Sequence, residues 1–98
     1  MLELIASNLF TRWLDGLRDR QGRAVILARL ARVEAGQFGD AKPVGGGVSE
    51  LRIAFGPGYR VYFARRGATI VLLLAGGDKS SQARDIARAK RVAAEWKD

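Results

Sequence analysis

Arginine and tyrosine side chains recur at alternate positions of two neighbouring segments, 48–55 and 59–66, in a pattern that could bind phosphate. On one predicted face of these segments lie Arg52, Arg60, Tyr62 and Arg66. Guanidinium groups bind phosphates through paired hydrogen bonds, and a phenol ring can stack on a nucleobase. This face is therefore interpreted as a candidate RNA-binding groove. The alternative is a solvated sheet face, because alternating strands commonly place their charged residues outward.

Two further sets of basic residues lie near the C-terminal end of the sequence. Lys79 follows Gly76-Gly77-Asp78, where a strand is predicted to lead into a helix, and the amides and dipole of a helix start favour an anion. The same residues also suit an ordinary turn with a serine cap. In the last predicted helix, Arg84, Arg88 and Arg91 share one face. This face could bind nucleic acid or an acidic protein, or it could simply be solvated.

The composition excludes most familiar catalytic schemes. The 98 residues include no Cys and no His, which removes disulfides, thiolate nucleophiles, Ser-His-Asp catalysis and metals bound by these side chains. Asp15, Glu50 and Asp85 are scattered and predict neither a general acid–base pair nor a metal site. We expect no metal and no cofactor. With 17 Lys and Arg against 10 Asp and Glu, the net charge is +7, which indicates an acidic partner.

The elements that must position these residues form one small domain spanning 1–98, since so short a chain has no room for a second core. A short strand is predicted over 2–6. Two amphipathic helices follow, form a hairpin and end at Gly36. The next segment, 37–47, is rich in glycine and is predicted to be a loop. The remaining elements are strands over 48–55, 59–66 and 69–75 and a final helix capped by Ser80 or Ser81.

The order β-α-α-β-β-β-α predicts an α+β fold with a mainly antiparallel, twisted sheet and the helical hairpin on one face. Segment 69–75 is apolar at nearly every position, which is typical of a central strand covered on both faces, and Gly76-Gly77 is expected to end it. Trp13 and Trp96 lie on the apolar faces of their helices and are interpreted as core residues. The longest apolar run, 68–75, is too short to cross a membrane. We therefore expect no membrane association and a cytoplasmic location.

Three segments resemble a known family when they are taken together. They are Gly47-Val48-Ser49-Glu50-Leu51-Arg52-Ile53, Gly56-Pro57-Gly58-Tyr59-Arg60-Val61-Tyr62-Phe63 and Ile70-Val71-Leu72-Leu73-Leu74-Ala75-Gly76-Gly77-Asp78-Lys79-Ser80. With Phe10, Trp13-Leu14 and the 36–40 loop, they resemble the RelE/ParE superfamily of toxins, specifically its HigB-like branch of addiction module killer proteins. The resemblance spans nearly the whole chain in the right order, and it implies a RelE-like fold.

The resemblance implies a metal-independent endoribonuclease that cuts mRNA in the ribosomal A site and so inhibits translation. Arg60 matches the arginine of the family's Gly-Tyr-Arg motif and would stabilise the charge that develops on the phosphate. Lys79 and Arg52 are the other two catalytic candidates. The RNA-binding candidates are Arg66, Tyr62, Arg84 and Arg88. Asp85 stands in the region where some of these nucleases carry a tyrosine for proton transfer, which leaves the general base unassigned.

The implied partners are the ribosome, mRNA and a cognate antitoxin of the HigA-like, helix-turn-helix kind, with which a hetero-oligomer is expected. Two alternatives are a non-enzymatic, ParE-like inhibitor of DNA gyrase and an inactive toxin-like scaffold that still binds antitoxin. The nuclease is favoured because Arg52, Arg60, Tyr62 and Lys79 converge on one predicted surface. Arg60 is expected to be exposed there, so its removal should change stability by no more than about 0.5 kcal/mol.

Overall fold

The computed structural model describes residues 1–97 and contains five strands and three α-helices. In chain order they are β1 (Glu3–Ala6), α1 (Asn8–Asp15), α2 (Arg20–Glu34), β2 (Ala41–Gly45), β3 (Val48–Ile53), β4 (Tyr59–Arg66), β5 (Ile70–Asp78) and α3 (Gln82–Glu95). A single 3-10 turn, Lys79–Ser81, leads into α3. The strands form one sheet in the order β1-β5-β4-β3-β2. Strand β1 pairs with β5 in parallel, and all other pairs are antiparallel. The predicted α+β class and mainly antiparallel sheet are confirmed.

Helices α1 and α2 each begin at a residue whose side chain caps the helix. The hydroxyl of Ser7 accepts the backbone N–H of Phe10 at 3.0 Å and donates to the Leu74 carbonyl at 2.8 Å, so the cap also ties α1 to β5. Asp19 caps α2 by accepting the N–H of Gly22 at 2.9 Å, and its other oxygen accepts the Tyr59 hydroxyl at 2.7 Å. These two hydrogen bonds lower the pKa of Asp19. Both helix starts are thereby fixed to the sheet.

Helices cover both faces of the sheet. Helices α1 and α2 bury Phe10 and Ile26 against the apolar face of β3 and β4, which confirms the predicted helical hairpin on one face. Helix α3 packs Ala89 and Ala93 against the other face, over Leu72 of β5. The prediction that β5 is covered on both faces is confirmed. The expectation that the second face is open is wrong, because α3 is amphipathic and this face supplies the surface that buries its apolar side.

One additional strand and two strand ends are the main differences from the predicted elements. The glycine-rich segment 37–47 contains the extra strand β2, so the order is β-α-α-β-β-β-β-α. Strand β2 lies at the sheet edge, where Pro43 is tolerated because one side of the strand needs no ladder hydrogen bonds. Strand β3 ends at Ile53, before the predicted boundary. Strand β5 runs through Gly76-Gly77 to Asp78, because its antiparallel pairing with β4 continues to that point.

An irregularity in the pairing of β4 with β5 changes which residues of β5 face α3. Tyr62 pairs with Ala75, but the next residue, Phe63, pairs with Leu73, so β5 carries one extra residue there. Such a bulge shifts the two-residue alternation by one position. Beyond the bulge Gly76 faces α1 and Gly77 faces α3. The two glycines therefore present bare backbone to a different helix on each face of the sheet.

A buried arginine of α2 fastens the segment that precedes β2. Arg29 is only 9% exposed, and its guanidinium donates to the carbonyls of Phe38, Asp40 and Arg52 at 2.8 to 3.2 Å. Gly39 allows this approach, since a Cβ there would lie 3.0 Å from the Arg29 guanidinium, and its φ of +69° suits glycine. From the sequence, an arginine in an amphipathic helix is expected to be solvated. The buried, hydrogen-bonded role of Arg29 was therefore not predicted.

None of the three α-helices in the described part of the chain has the length and apolar character that crossing a lipid bilayer requires.

Replacing Arg29 with methionine is expected to lower the free energy of unfolding by about 2–4 kcal/mol, because three carbonyls lose a buried donor. Urea denaturation followed by circular dichroism measures the change. Arg32→Met is the matched control, since Arg32 is exposed on the same helix, and it should change stability by less than about 0.5 kcal/mol. Equal losses in the two variants would contradict the fastening role of Arg29.

Candidate functional site

A cavity of about 470 Å³ opens where β3 and β4 meet the turn between them. Its lining consists of Asp40, Arg52, Ala54, Phe55, Gly56, Pro57, Gly58, Arg60 and Lys79. The strand register explains this convergence, because Arg52 pairs with Arg60 across β3 and β4, and Arg60 pairs with Gly77 across β4 and β5. Lys79 follows Gly77 by two residues. The structure thus brings together all three of the side chains predicted to be catalytic.

Arg60 is held by a buried carboxylate and is not an exposed side chain. Its Nε lies 3.1 Å from Glu50 Oε1, with side chains that are 12% and 1% exposed, respectively. The Nε–H is not aligned for a hydrogen bond, so the contact is an ion pair. Gln82 of α3 donates its amide to the same Glu50 oxygen. Arg60 Nη1 donates to the carbonyls of Gly58 and Tyr59, both at 3.1 Å. The expected exposure of Arg60 is therefore wrong, although its guanidinium still lines the cavity.

Arg52 is engaged by a carboxylate at the mouth of the cavity. Its Nε and Nη2 donate to Asp40 Oδ1 at 3.1 and 2.8 Å. This hydrogen bond is the largest cause that lowers the pKa of Asp40, and it raises the pKa of Arg52. A phosphate that binds Arg52 must share it with Asp40 or displace that carboxylate. A carboxylate with a lowered pKa is also a weaker base, so Asp40 is poorly suited to remove a proton.

Lys79 is the exposed cation of the cavity. It begins the 3-10 turn, whose cap is Asp78, and the Asp78 carboxylate accepts the Ser80 N–H at 2.8 Å and the Ser80 hydroxyl. The turn is thus capped, as the alternative interpretation predicts, but by Asp78 and not by a serine; Ser81 stands at the N-cap position of α3 without a side-chain capping hydrogen bond to that helix. Gly58, with a φ of +81°, lies between Lys79 and Arg60, since a Cβ there would be 3.4 Å from Lys79 Cβ and 3.5 Å from Arg60 Nη1. A Cβ at those distances would fit, so it is the positive φ of this position that favours glycine.

Tyr62 does not lie on an open face. It is 0% exposed beneath α3, and its hydroxyl has no hydrogen-bond partner among the described residues. Burial and then the nearby carboxylates Glu50 and Asp85 raise its pKa. Its predicted contact with RNA is wrong for this conformation, because the helix that covers the sheet face separates Tyr62 from solvent.

Two carboxylates judged scattered in the sequence are neighbours of Tyr62 in the fold. Glu50 and Asp85 are 1% and 2% exposed, and both act electrostatically on the Tyr62 hydroxyl. Asp85 accepts a hydrogen bond from Ser81 and lies 3.5 Å from Arg84 Nε. The sequence did not predict this cluster. The sequence feature that pointed to it is that Glu50 lies on the same strand face as Arg52, and this feature becomes informative only once α3 is known to cover that face.

The other predicted RNA-binding residues lie on two separate surfaces. Arg84 and Arg88 line a cleft between α1 and α3. Arg66 lies at the far end of β4 from Arg60, where its Nη2 donates to the Ala93 carbonyl of α3 at 2.9 Å. The seven predicted residues therefore do not form the single surface that the sequence suggested. Arg52, Arg60 and Lys79 share the cavity, while Arg84 and Arg88 share the cleft.

Comparisons with known proteins cover almost the whole chain. The profile of the family described as "Phage derived protein Gp49-like (DUF891)" matches residues 12–96, a span that includes every candidate residue. A protein of Haemophilus influenzae (strain ATCC 51907 / DSM 11121 / KW20 / Rd), described as "Uncharacterized protein", is 48% identical over 94 residues. That match covers 96% of this chain and 95% of the relative.

The buried ion pair between Glu50 and Arg60 is expected to affect the stability of the fold. Arg60→Met or Glu50→Leu alone is expected to lower the free energy of unfolding by about 3–5 kcal/mol, because each leaves a buried charge without its partner. The double variant should recover most of that loss, since two apolar side chains replace two charges. Urea denaturation of all four proteins gives the coupling energy.

The exposed pair Asp15–Arg23, whose charged atoms lie 3.6 Å apart, serves as the control, and its coupling should be below about 1 kcal/mol. If Arg60→Met is as stable as the wild type, Arg60 is not structurally paired with Glu50.

Proposed function

Because the chain belongs to the Gp49-like family of phage-derived proteins, a toxin-like family of the RelE/Gp49 type, we propose that it is a type II toxin that cleaves mRNA on the ribosome. The observation that carries the proposal is the shared cavity of Arg52, Arg60 and Lys79. Three cationic side chains around one open cavity match the charge of a phosphodiester whose oxygens gain negative charge during reaction. The finer assignment to the HigB-like branch rests on the sequence resemblance.

The proposed reaction is an internal transesterification of the RNA backbone. The 2′-oxygen forms a bond to the adjacent phosphorus, and the bond from phosphorus to the 5′-oxygen breaks. The 2′-hydroxyl proton leaves to water, and the departing 5′-oxygen takes a proton from water. Arg60 and Lys79 stabilise the charge on the phosphate in the transition state, and the ion pair with Glu50 fixes the direction of the Arg60 guanidinium.

The burial of Arg60 changes how this mechanism is best tested. Arg60→Ala removes both the proposed catalytic charge and the partner of Glu50, so a loss of activity could reflect unfolding. Lys79 separates the two effects, because it lines the same cavity but is exposed. Lys42 provides a matched control, since it is exposed on β2 and is not part of the cavity lining.

Lys79→Ala is expected to reduce mRNA cleavage on ribosomes by about 10²-fold and to relieve growth arrest, while the thermal midpoint stays within about 2 °C of the wild type. Lys42→Ala should leave both cleavage and stability unchanged. Primer extension on ribosome-bound mRNA after brief induction gives the cleavage rate, and calorimetry gives the midpoint.

Full toxicity of folded Lys79→Ala with intact mRNA would overturn the nuclease proposal. Altered DNA supercoiling in the same cells would then favour the gyrase inhibitor. A wild-type chain that neither inhibits translation nor alters DNA supercoiling would favour the inactive scaffold. Each of the three readouts comes from the same induced cultures, so the outcomes can be compared directly.

The toxin-like family also indicates an antitoxin as partner, and we propose that it is acidic or amphipathic, with a HigA-like, helix-turn-helix protein as the specific candidate. The net charge of +7 should favour such a partner electrostatically.

Affinity for the cognate antitoxin is expected to fall at least tenfold between about 0.05 M and about 0.5 M salt, because screening weakens the attraction between exposed charges. Calorimetric titration at the two ionic strengths measures this change. An unchanged dissociation constant would mean that apolar burial, not charge, dominates the complex.

A further inference from the structure

A second basic cleft, of about 520 Å³, lies between α1 and α3 beside the C-terminal end of β5. Three arginines, Arg12, Arg84 and Arg88, and the aromatic side chain of Trp13 belong to its lining. The catalytic proposal uses none of these four residues. Their combination of guanidinium groups with an indole matches the chemistry that binds single-stranded nucleic acid, in which phosphates meet cations and bases stack on rings.

Trp13 is half-buried: it packs against the core that contains Phe10 and Tyr59, as predicted, and it also belongs to the cleft lining. A Cβ on Gly76 would overlap three adjacent ring atoms of the indole, Cε3, Cζ3 and Cδ2, which means that one ring face covers this glycine. Phe10 and Tyr59 meet the indole at interplanar angles of 44° and 69°, so neither stacks on it in parallel. Trp13 nevertheless belongs to the cleft lining and is only half-buried, so part of its indole is accessible from the cleft.

The charge of the cleft is positive in spite of its two carboxylates. Arg12 and Arg84 are exposed, and Arg88 is half-buried. Asp85 is buried and its oxygens contact Ser81 and Arg84, while the carboxylate of the second acidic residue, Asp78, caps the 3-10 turn. One of these partners, Arg84, is itself one of the three arginines, so the cleft combines three guanidinium groups with two carboxylates and keeps a formal excess of one positive charge.

The cleft adjoins the catalytic cavity along the chain. Asp78 lines the cleft and Lys79 lines the cavity, so consecutive residues form the boundary between the two. A nucleotide chain bound at Lys79 would cross this boundary to reach the cleft.

We propose that the cleft binds a nucleotide of single-stranded RNA next to the one being cleaved, with its base stacked on Trp13 and its phosphates on Arg12, Arg84 and Arg88. The inference rests on the proposed nuclease function and names a further part of its substrate site. An acidic peptide would use the three arginines, but it would leave the indole face without a ring to stack on. A nucleic acid uses both features, and RNA is the polymer that the adjoining cavity is proposed to cut.

Fluorescence tests the stacking directly, because the chain contains two tryptophans, Trp13 and Trp96. In a Trp96→Phe protein all indole emission comes from Trp13. Hexa-adenylate RNA is expected to quench this emission with a saturable curve, whereas tripolyphosphate, which has charge but no base, should bind weakly and quench little.

The arginine contacts are tested in the same background. The double variant Arg12→Gln/Arg84→Gln should weaken hexa-adenylate binding at least tenfold at low salt, since each phosphate contact contributes through counterion release. The control is Arg20→Gln/Arg32→Gln, which removes two exposed charges of α2 outside the cleft and should weaken binding by less than threefold.

The outcomes separate this inference from the nuclease proposal. If Lys79→Ala abolishes cleavage but hexa-adenylate leaves Trp13 emission unchanged, the nuclease stands and the stacking site falls. If hexa-adenylate quenches Trp13 and the double variant weakens binding, but mRNA is never cleaved, the RNA site stands without the nuclease. Equal quenching by tripolyphosphate, or tighter binding of poly-glutamate than of hexa-adenylate, would overturn the inference in favour of an anion or acidic-protein site.

Discussion

The ion pair between Glu50 and Arg60 connects the three parts of the molecule that meet at the cavity. Glu50 comes from β3, Arg60 from β4, and Gln82, which donates to the same Glu50 oxygen, from the first turn of α3. Removing two charges from water raises the free energy of the folded protein unless the two charges interact closely with each other. The position of α3 over the sheet and the direction of the Arg60 guanidinium are therefore set by one constraint.

The same ion pair gives the cavity one positive charge that is held in place, on Arg60, next to one that is exposed, on Lys79. Arg60 is held by Glu50 and by two backbone carbonyls, whereas Lys79 is exposed. Preorganised charge stabilises a transition state more effectively than charge that must first be positioned. The cost is that Arg60 serves the fold and the proposed chemistry together, so its contribution to either cannot be isolated by a single substitution.

Glycines allow the helices and turns around the site to come close. The bulge between β4 and β5 turns Gly76 toward Trp13 and Gly77 toward Asp85, and a Cβ at either position would overlap that side chain. Gly58 contributes differently, because its positive φ of +81° forms the turn beside Lys79 and Arg60. The cavity and the cleft adjoin because these close approaches draw α1, α3 and the hairpin turn toward the same end of the sheet.

The sequence by itself determined which residues share a strand face and that β5 is covered on both sides, because alternation and apolar runs are local signals. It also placed Arg52, Arg60 and Lys79 near one another. Only the tertiary structure decided that α3 covers the face of Tyr62, that Glu50 and Asp85 both lie near the Tyr62 hydroxyl, and that Arg29 is buried. The reason is physical: alternation states which side chains point the same way, but the element that packs over them, and the partners it brings, depend on contacts between residues distant in sequence.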